Sequence, residues 1–409
     1  MDSYSKTYEN DIYFFLPMTA TDEARFFEAM ESLTPVEADA TDFGSEYCRV
    51  LGEHVAYECN NPTFRTLERF YLGAFKLACY DDNYNGTVLD TEEAHLFVTA
   101  HRKTGLCIVT IGVHDNHYIP TQLVDQMSSG HLDVLDPKTG RYIGVADYMQ
   151  STFGLSLCGE SKCVVCMSNK PEDELELAYI LAGETYVSEH IDYHLNDSRI
   201  ATLLENRACY DYYESYISRS AIAFVFQEYP EDVFERLDEE ASVLFVVEIV
   251  LFQNTAVLRT NRRVVEELSD DADISNEEVE ALYREFGRTM EFWSTDIFKY
   301  PFSQKEADEV IRSFGISQAL EEYHRNQSFI DRLIDIKSTI SEERASRRMD
   351  LILYALAWLE GLGVLLSGFL WLMQTVFGVG DITWWGILCV CTCITMSVSI
   401  YYNYVRKKK

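Results

Sequence analysis

Basic residues are scarce in this chain. Lysine and arginine number 34 against 67 aspartates and glutamates, a formal net charge of −33 over 409 residues. An acidic body of this kind repels nucleic acid and anionic lipid and attracts cations, so direct nucleic-acid binding is not expected. Glycine-rich phosphate loops and nucleophile elbows are missing as well, so there is no enzyme signature. Internal repeats and low-complexity segments are absent. Residues Met1 to Asn10 are polar and do not resemble a signal peptide. Eleven cysteines are present, but they carry no disulfide framework. Cys389, Cys391 and Cys393 fall in an apolar run, and the others are scattered through a body assigned to the reducing cytosol, where free core thiols are expected.

What the chain does have is concentrated in its last sixty residues. Leu351 to Met373 is apolar apart from Glu360, and Thr383 to Val405 carries no charge. About 23 helical residues at ~1.5 Å each span roughly 35 Å, enough for a hydrocarbon core of ~30 Å. The link from Gln374 to Ile382 is short, so the two spans form a hairpin with both outer ends on one side. Arg344, Arg347 and Arg348 precede it, Arg406 to Lys409 follow it, and the link has Asp381 but no Lys or Arg. The positive-inside rule therefore places both outer ends in the cytoplasm, with Trp384 and Trp385 at an interfacial belt.

Before the hairpin the chain reads as a mixed α/β domain over residues 1–240, helices and a stalk over 241–350, spans over 351–405, and a basic tail over 406–409. Strands are expected at Asp11 to Leu16 (stopped by Pro17), Ala94 to Ala100, Leu106 to Val113, Cys163 to Met167 and Ala221 to Gln227. Helices are expected at Thr21 to Ser32, Thr66 to Tyr80, Glu174 to Ala182 and Asp197 to Tyr213. Residues 128–147 read as loops around short strands. Ala241 to Leu268 is apolar enough for a span, but Glu248, Gln253 and Asn254 cut it, and a cytosolic core helix is the better reading. Ser275 with Glu278 has capping-box spacing and opens a helix that Pro301 ends; Ser303 with Glu306 suggests a second box, stopped at Gly315. No Gly or Pro follows from Ser317 until Gly361. One stalk helix from Ser317 to Met373, about 85 Å long at ~1.5 Å per residue, is therefore expected to run directly into the first span.

Chemistry-bearing residues are few. Glu360, Ser367 and Gln374 lie seven apart and share one helix stripe, which also takes in Val364 and Trp371. A charge in a span costs a few kcal/mol unless it faces water or a partner, so this stripe is the expected pore lining of an oligomer. Gly378, Gly380 and Asp381 form the outer loop. Asp81, Asn83, Asn85, Gly86 and Glu92 match a calcium-loop pattern and could hold a divalent cation, but the residues after Glu92 read as a strand, which favours an Asn-Gly turn. Cys158, Cys163 and Cys166 have spacing suggestive of zinc but no fourth ligand; His190 with His194, and His114 with His117, are surface pairs by the same reasoning.

This layout resembles the CorA superfamily of magnesium transporters. The resemblance is one of architecture over the whole chain, strongest from Asn276 to Lys409. The family's Gly-Met-Asn motif is not present in Trp371 to Asp381, so no filter residue carries over. The resemblance implies a homopentamer in a bacterial inner membrane, with the first span lining the pore. Relatives lacking the motif resemble effectors of type III CRISPR defence, which implies gating by a nucleotide-derived messenger, including S-adenosylmethionine–nucleotide adducts. The alternatives are a divalent-cation transporter and a membrane-anchored scaffold.

Overall fold

The computed structural model describes residues 10–33, 42–80, 87–114, 120–184, 194–208, 210–269, 275–293 and 296–376, with Gly386 and Ile394 as single positions. The chain divides into two units, Met1–Ile330 and Asp331–Lys409.

Strand β1 (Asn10–Ala20) organises the first unit. Ile12, Phe14, Leu16 and Met18 enter one core, while Tyr13 and Phe15 enter another. A strand apolar on both faces has to be covered on both. Beside it in sequence follow β2 (Glu68–Tyr80), β3 (Val88–His101), β4 (Leu106–Val113), β5 (Asp133–Leu135), β6 (Tyr142–Gly144), β7 (Leu155–Leu157), β8 (Lys162–Met167), β9 (Tyr213–Ile217) and β10 (Ala221–Phe226). Among the described residues these ten form one sheet, ordered β6-β5-β2-β3-β4-β1-β8-β10-β9, with β7 beside β1. β8 and β10 pair in parallel; the other pairings are antiparallel.

The helices are α1 (Glu23–Ser32), α2 (Phe43–Glu58), α3 (Pro120–Ser129), α4 (Val145–Phe153), α5 (Glu174–Ala182), α6 (Asp197–Leu203), α7 (Val233–Ser269), α8 (Asn276–Met290), α9 (Pro301–Ser313) and α10 (Ile316–Val376). α1, α3, α4, α5 and α6 supply side chains to the core on one sheet face, and α2, α7 and α9 to the core on the other. The first unit is thus a three-layer α/β/α arrangement, the mixed α/β class expected.

α7 is the helix whose apolar run raised the question of a third span. It is long and apolar enough to cross a membrane, but 89% of its most apolar stretch is buried inside the protein. Val243 to Val247 and Ile249 to Phe252 are all fully buried, each contributing about 1.5–3 kcal/mol of burial. It is a core helix, as read from its interrupting polar residues.

Several local expectations are corrected. The helix expected over Thr66 to Tyr80 is instead the strand Glu68–Tyr80, entered from a short 3-10 turn at Phe64–Thr66. A bulge between Tyr71 and Gly73 shifts the β2 register, so Phe70 and Phe75 reach the same core five residues apart. That odd spacing imitates a helical stripe. Gly73 sits at φ 117 there, a conformation that suits glycine. β1 runs through Pro17, which falls where its partner changes from β8 to β7. The helix from Asp197 ends at Leu203, and Tyr213 begins β9. Residues 128–147 include the end of α3 and the start of α4 as well as two short strands. Ser275 and Glu278 do form a reciprocal capping box, but α8 ends at Met290. Pro301 starts α9 instead of ending α8, because its fixed φ suits a first helical turn. Ser303 and Glu306 are no capping box: Ser303 bonds Glu58, and Glu306 accepts from Tyr213 and Ser215.

Candidate functional site

Two places carry polar chemistry in apolar surroundings. The first is the C-terminal part of α10. This 61-residue helix is, among the described residues, the second element long and apolar enough to span a membrane, and none of its most apolar stretch is buried. Glu360, Val364, Ser367, Trp371 and Gln374 recur at steps of four and three and are all exposed in the single chain, Val364 at 71% and Trp371 at 65%. Ser367 donates to the Val364 carbonyl at 2.9 Å and Thr375 to the Trp371 carbonyl at 2.6 Å. Both hydroxyls are thereby satisfied within the helix. Glu360 remains the one acidic or basic side chain among Leu351–Val376. The outer-loop residues Gly378, Gly380 and Asp381, and the run from Thr383 to Val405, lie outside the described residues.

The second place is the polar layer between the sheet and α7. Asp11 on β1 receives Arg236 Nε at 3.1 Å, and His114 Nδ1 stands 3.4 Å from the same carboxylate. Glu240, one turn beyond Arg236, accepts from the hydroxyls of Tyr13 and Tyr229. Burial, and then the neighbouring charge of Asp11, push the Glu240 acid well above the usual carboxylate range, against the opposing effect of the two hydroxyls. Two turns further along α7, Glu248 is fully buried and pairs with Arg69 of β2, while Thr99 of β3 donates to its other oxygen at 2.5 Å.

Beside this layer lies an aromatic–histidine cluster. The Phe43 ring stands 4.2 Å from His114 and 5.0 Å from His95. His95 Nδ1 bonds the Tyr71 hydroxyl at 2.8 Å. Burial, aided by His114, lowers the His95 pKa to about 4, so its ring is neutral at physiological pH. α2 approaches this cluster through Gly44, where an added Cβ would lie 2.4 Å from the Tyr71 ring.

Most of these groups are paired and lie buried between the sheet and a helix, where they fix α7 against the sheet; both ring nitrogens of His114 and the Nε of Arg69 make no hydrogen bond there. Sequence reasoning missed them, although Glu248 had a signal: a carboxylate inside an apolar core helix requires a buried cation nearby. The cysteine triplet separates across the sheet. Cys163 enters one core and Cys166 the other, because residues three apart on a strand point to opposite faces. Cys158, Cys163 and Cys166 are free thiols. Among the described residues no group of three or more His, Cys, Asp or Glu could hold a metal ion. Of the calcium-loop residues, Glu92 lies within β3 opposite Leu77; Asp81, Asn83 and Asn85 lie outside the described residues, as do His117 and His190, while His114 is not the surface residue expected but is largely buried beside Asp11. Replacing Asp81 and Glu92 by alanine together is expected to leave any calcium or magnesium response of the protein unchanged. Loss of that response in a titration of the variant would restore the loop as a cation site.

An α/β/α unit followed by a long helix with an apolar, exposed C-terminal part is the class of protein these observations define. No protein-family model, curated protein or solved structure matches the chain.

Proposed function

We propose that the chain is one subunit of a CorA-like membrane channel, gated through its α/β unit by a small nucleotide-derived ligand. The observation that carries this reading is the continuity of α10. The helix starts with Ile316, Tyr323 and Ile330 buried in the α/β unit and ends, without interruption, in turns apolar enough for lipid. A continuous helix offers a path for a change at its start to bias the apolar turns. The acidic composition suits a route for cations, and several copies presenting Glu360 to water would relieve the cost of a charge in an apolar helix. The ligand class rests on the architectural resemblance alone.

Assembly is the first test. Native mass measurement of the detergent-solubilised chain is expected to find a closed homo-oligomer of five copies, because one or two apolar helices enclose no pore. A stable monomer under those conditions overturns the channel reading and leaves an anchored scaffold.

A further inference from the structure

We propose that Asn261 on α7 is a releasable latch that holds the first turns of α10. The contact lies wholly within the first unit. Asn261 is 5% exposed, and both ends of its amide are used on α10. Its Nδ2 donates to the Ala319 carbonyl at 2.9 Å, and its Oδ1 accepts from Asn326 Nδ2 at 3.1 Å. One side chain thus grips two successive turns, seven residues apart. Tyr323, on the same face, donates its hydroxyl to the Phe286 carbonyl of α8 at 3.0 Å.

The rest of the seam is thin. Ile316, Tyr323 and Ile330 are its fully buried side chains, again at intervals of seven. The next two positions in that series are Lys337 and Arg344, so the apolar seam ends at Ile330.

The other attachments of α7 differ in kind. Toward the sheet it is held by two buried ion pairs, Arg69–Glu248 and Arg236–Asp11, besides its long apolar face. Separating a buried ion pair leaves charges unpaired, which is strongly unfavourable. Toward α10 its directional bonds come from neutral amides, and the Tyr323 phenol bonds α8 instead. Water replaces their partners as the helices part, so the net cost of each is about 0.5–1.5 kcal/mol. When the fold is loaded, the α7–α10 contact therefore opens before the α7–sheet contact. The polar latch also sets register, since sliding α10 by one turn moves Asn326 about 5.4 Å from Asn261.

Hydrogen exchange on the full chain in detergent tests this without reference to conduction. Asn261→Ala is expected to speed exchange across residues 316–330 about tenfold, the equivalent of one or two lost bonds, and to leave β1 and β4 unchanged. The pair Asn261→Leu with Asn326→Leu replaces the latch by an apolar contact and is expected to slow exchange there below the parent's rate. Unchanged exchange in Asn261→Ala, an equal rise in β1 and β4, or faster exchange in the leucine pair each overturns the latch. The consequence for gating rests on the channel reading: the alanine variant should open more readily in bilayer recordings and the leucine pair less. If exchange shifts as expected and current does not, the latch stands and the channel reading fails.

Discussion

Arg69→Met is expected to lower the thermal midpoint of the full-length protein more than any other single change considered. The substitution preserves bulk at β2 but strands the Glu248 carboxylate, which is fully buried under α7. Removing one partner of such a pair costs about 3–5 kcal/mol, a large part of the 5–15 kcal/mol that stabilises a typical domain. Adding Glu248→Leu and Thr99→Val removes the second charge and the hydroxyl that bonds it. That triple variant should regain most of the loss, because a packed apolar substitute for a buried ion pair is often neutral. The check is thermal or denaturant unfolding of parent, single and triple variants in one detergent. A drop below about 1 kcal/mol for Arg69→Met, small against the expected penalty, would mean that Glu248 is compensated by some group other than Arg69.

Glu360 carries the second large effect. If five copies direct it to a common water-filled axis, they form an acidic ring that concentrates cations and rejects anions. Glu360→Gln keeps the size and removes the charge. Assembly should survive, since close carboxylates repel one another, and the preference for cations over anions in bilayer recordings should fall. Glu360→Lys should reverse the preference or abolish cation flux. Both variants assembling and conducting like the parent would place Glu360 outside the pore, and the stripe through Ser367 and Gln374 would then face lipid or protein. A lipid-facing carboxylate would itself cost about 2.5–3.5 kcal/mol near the bilayer centre, which makes that outcome informative about depth.

The features legible in the sequence were those set by local chemistry. The Ser275–Glu278 capping box is present because both halves of the motif lie within one turn. Gly315 ends a helix with φ 72, where glycine is favoured. The uninterrupted stretch from Ser317 does form one helix, and α7 is a core helix because Glu248 and its neighbours break the pattern of a span. Features set by partners far along the chain were hidden. The β2 bulge changes the phase of its alternation, and only the pairing with β3 reveals it. The strand order depends on contacts such as Ile12 with both Val113 and Val165, which no local pattern specifies. The same holds for the polar layer under α7: Asp11 and Arg236 are 225 residues apart, and neither carries a motif around it.

That separation has a consequence for how the protein is made. β1 leaves the ribosome well before its neighbours β4 and β8, which lie some hundred and more residues later, and the helix that covers it comes later still. At about 5–20 residues per second, β1 waits roughly 7–30 s between its own synthesis and that of β8. Throughout that interval an apolar strand with two open edges is a template for wrong pairings. The apolar turns of α10 emerge only after the whole α/β layer has been synthesised. The order of synthesis therefore lets the sheet close before the apolar turns of α10 emerge, so a factor that shields the nascent β1 should raise yield more than one that acts on those turns.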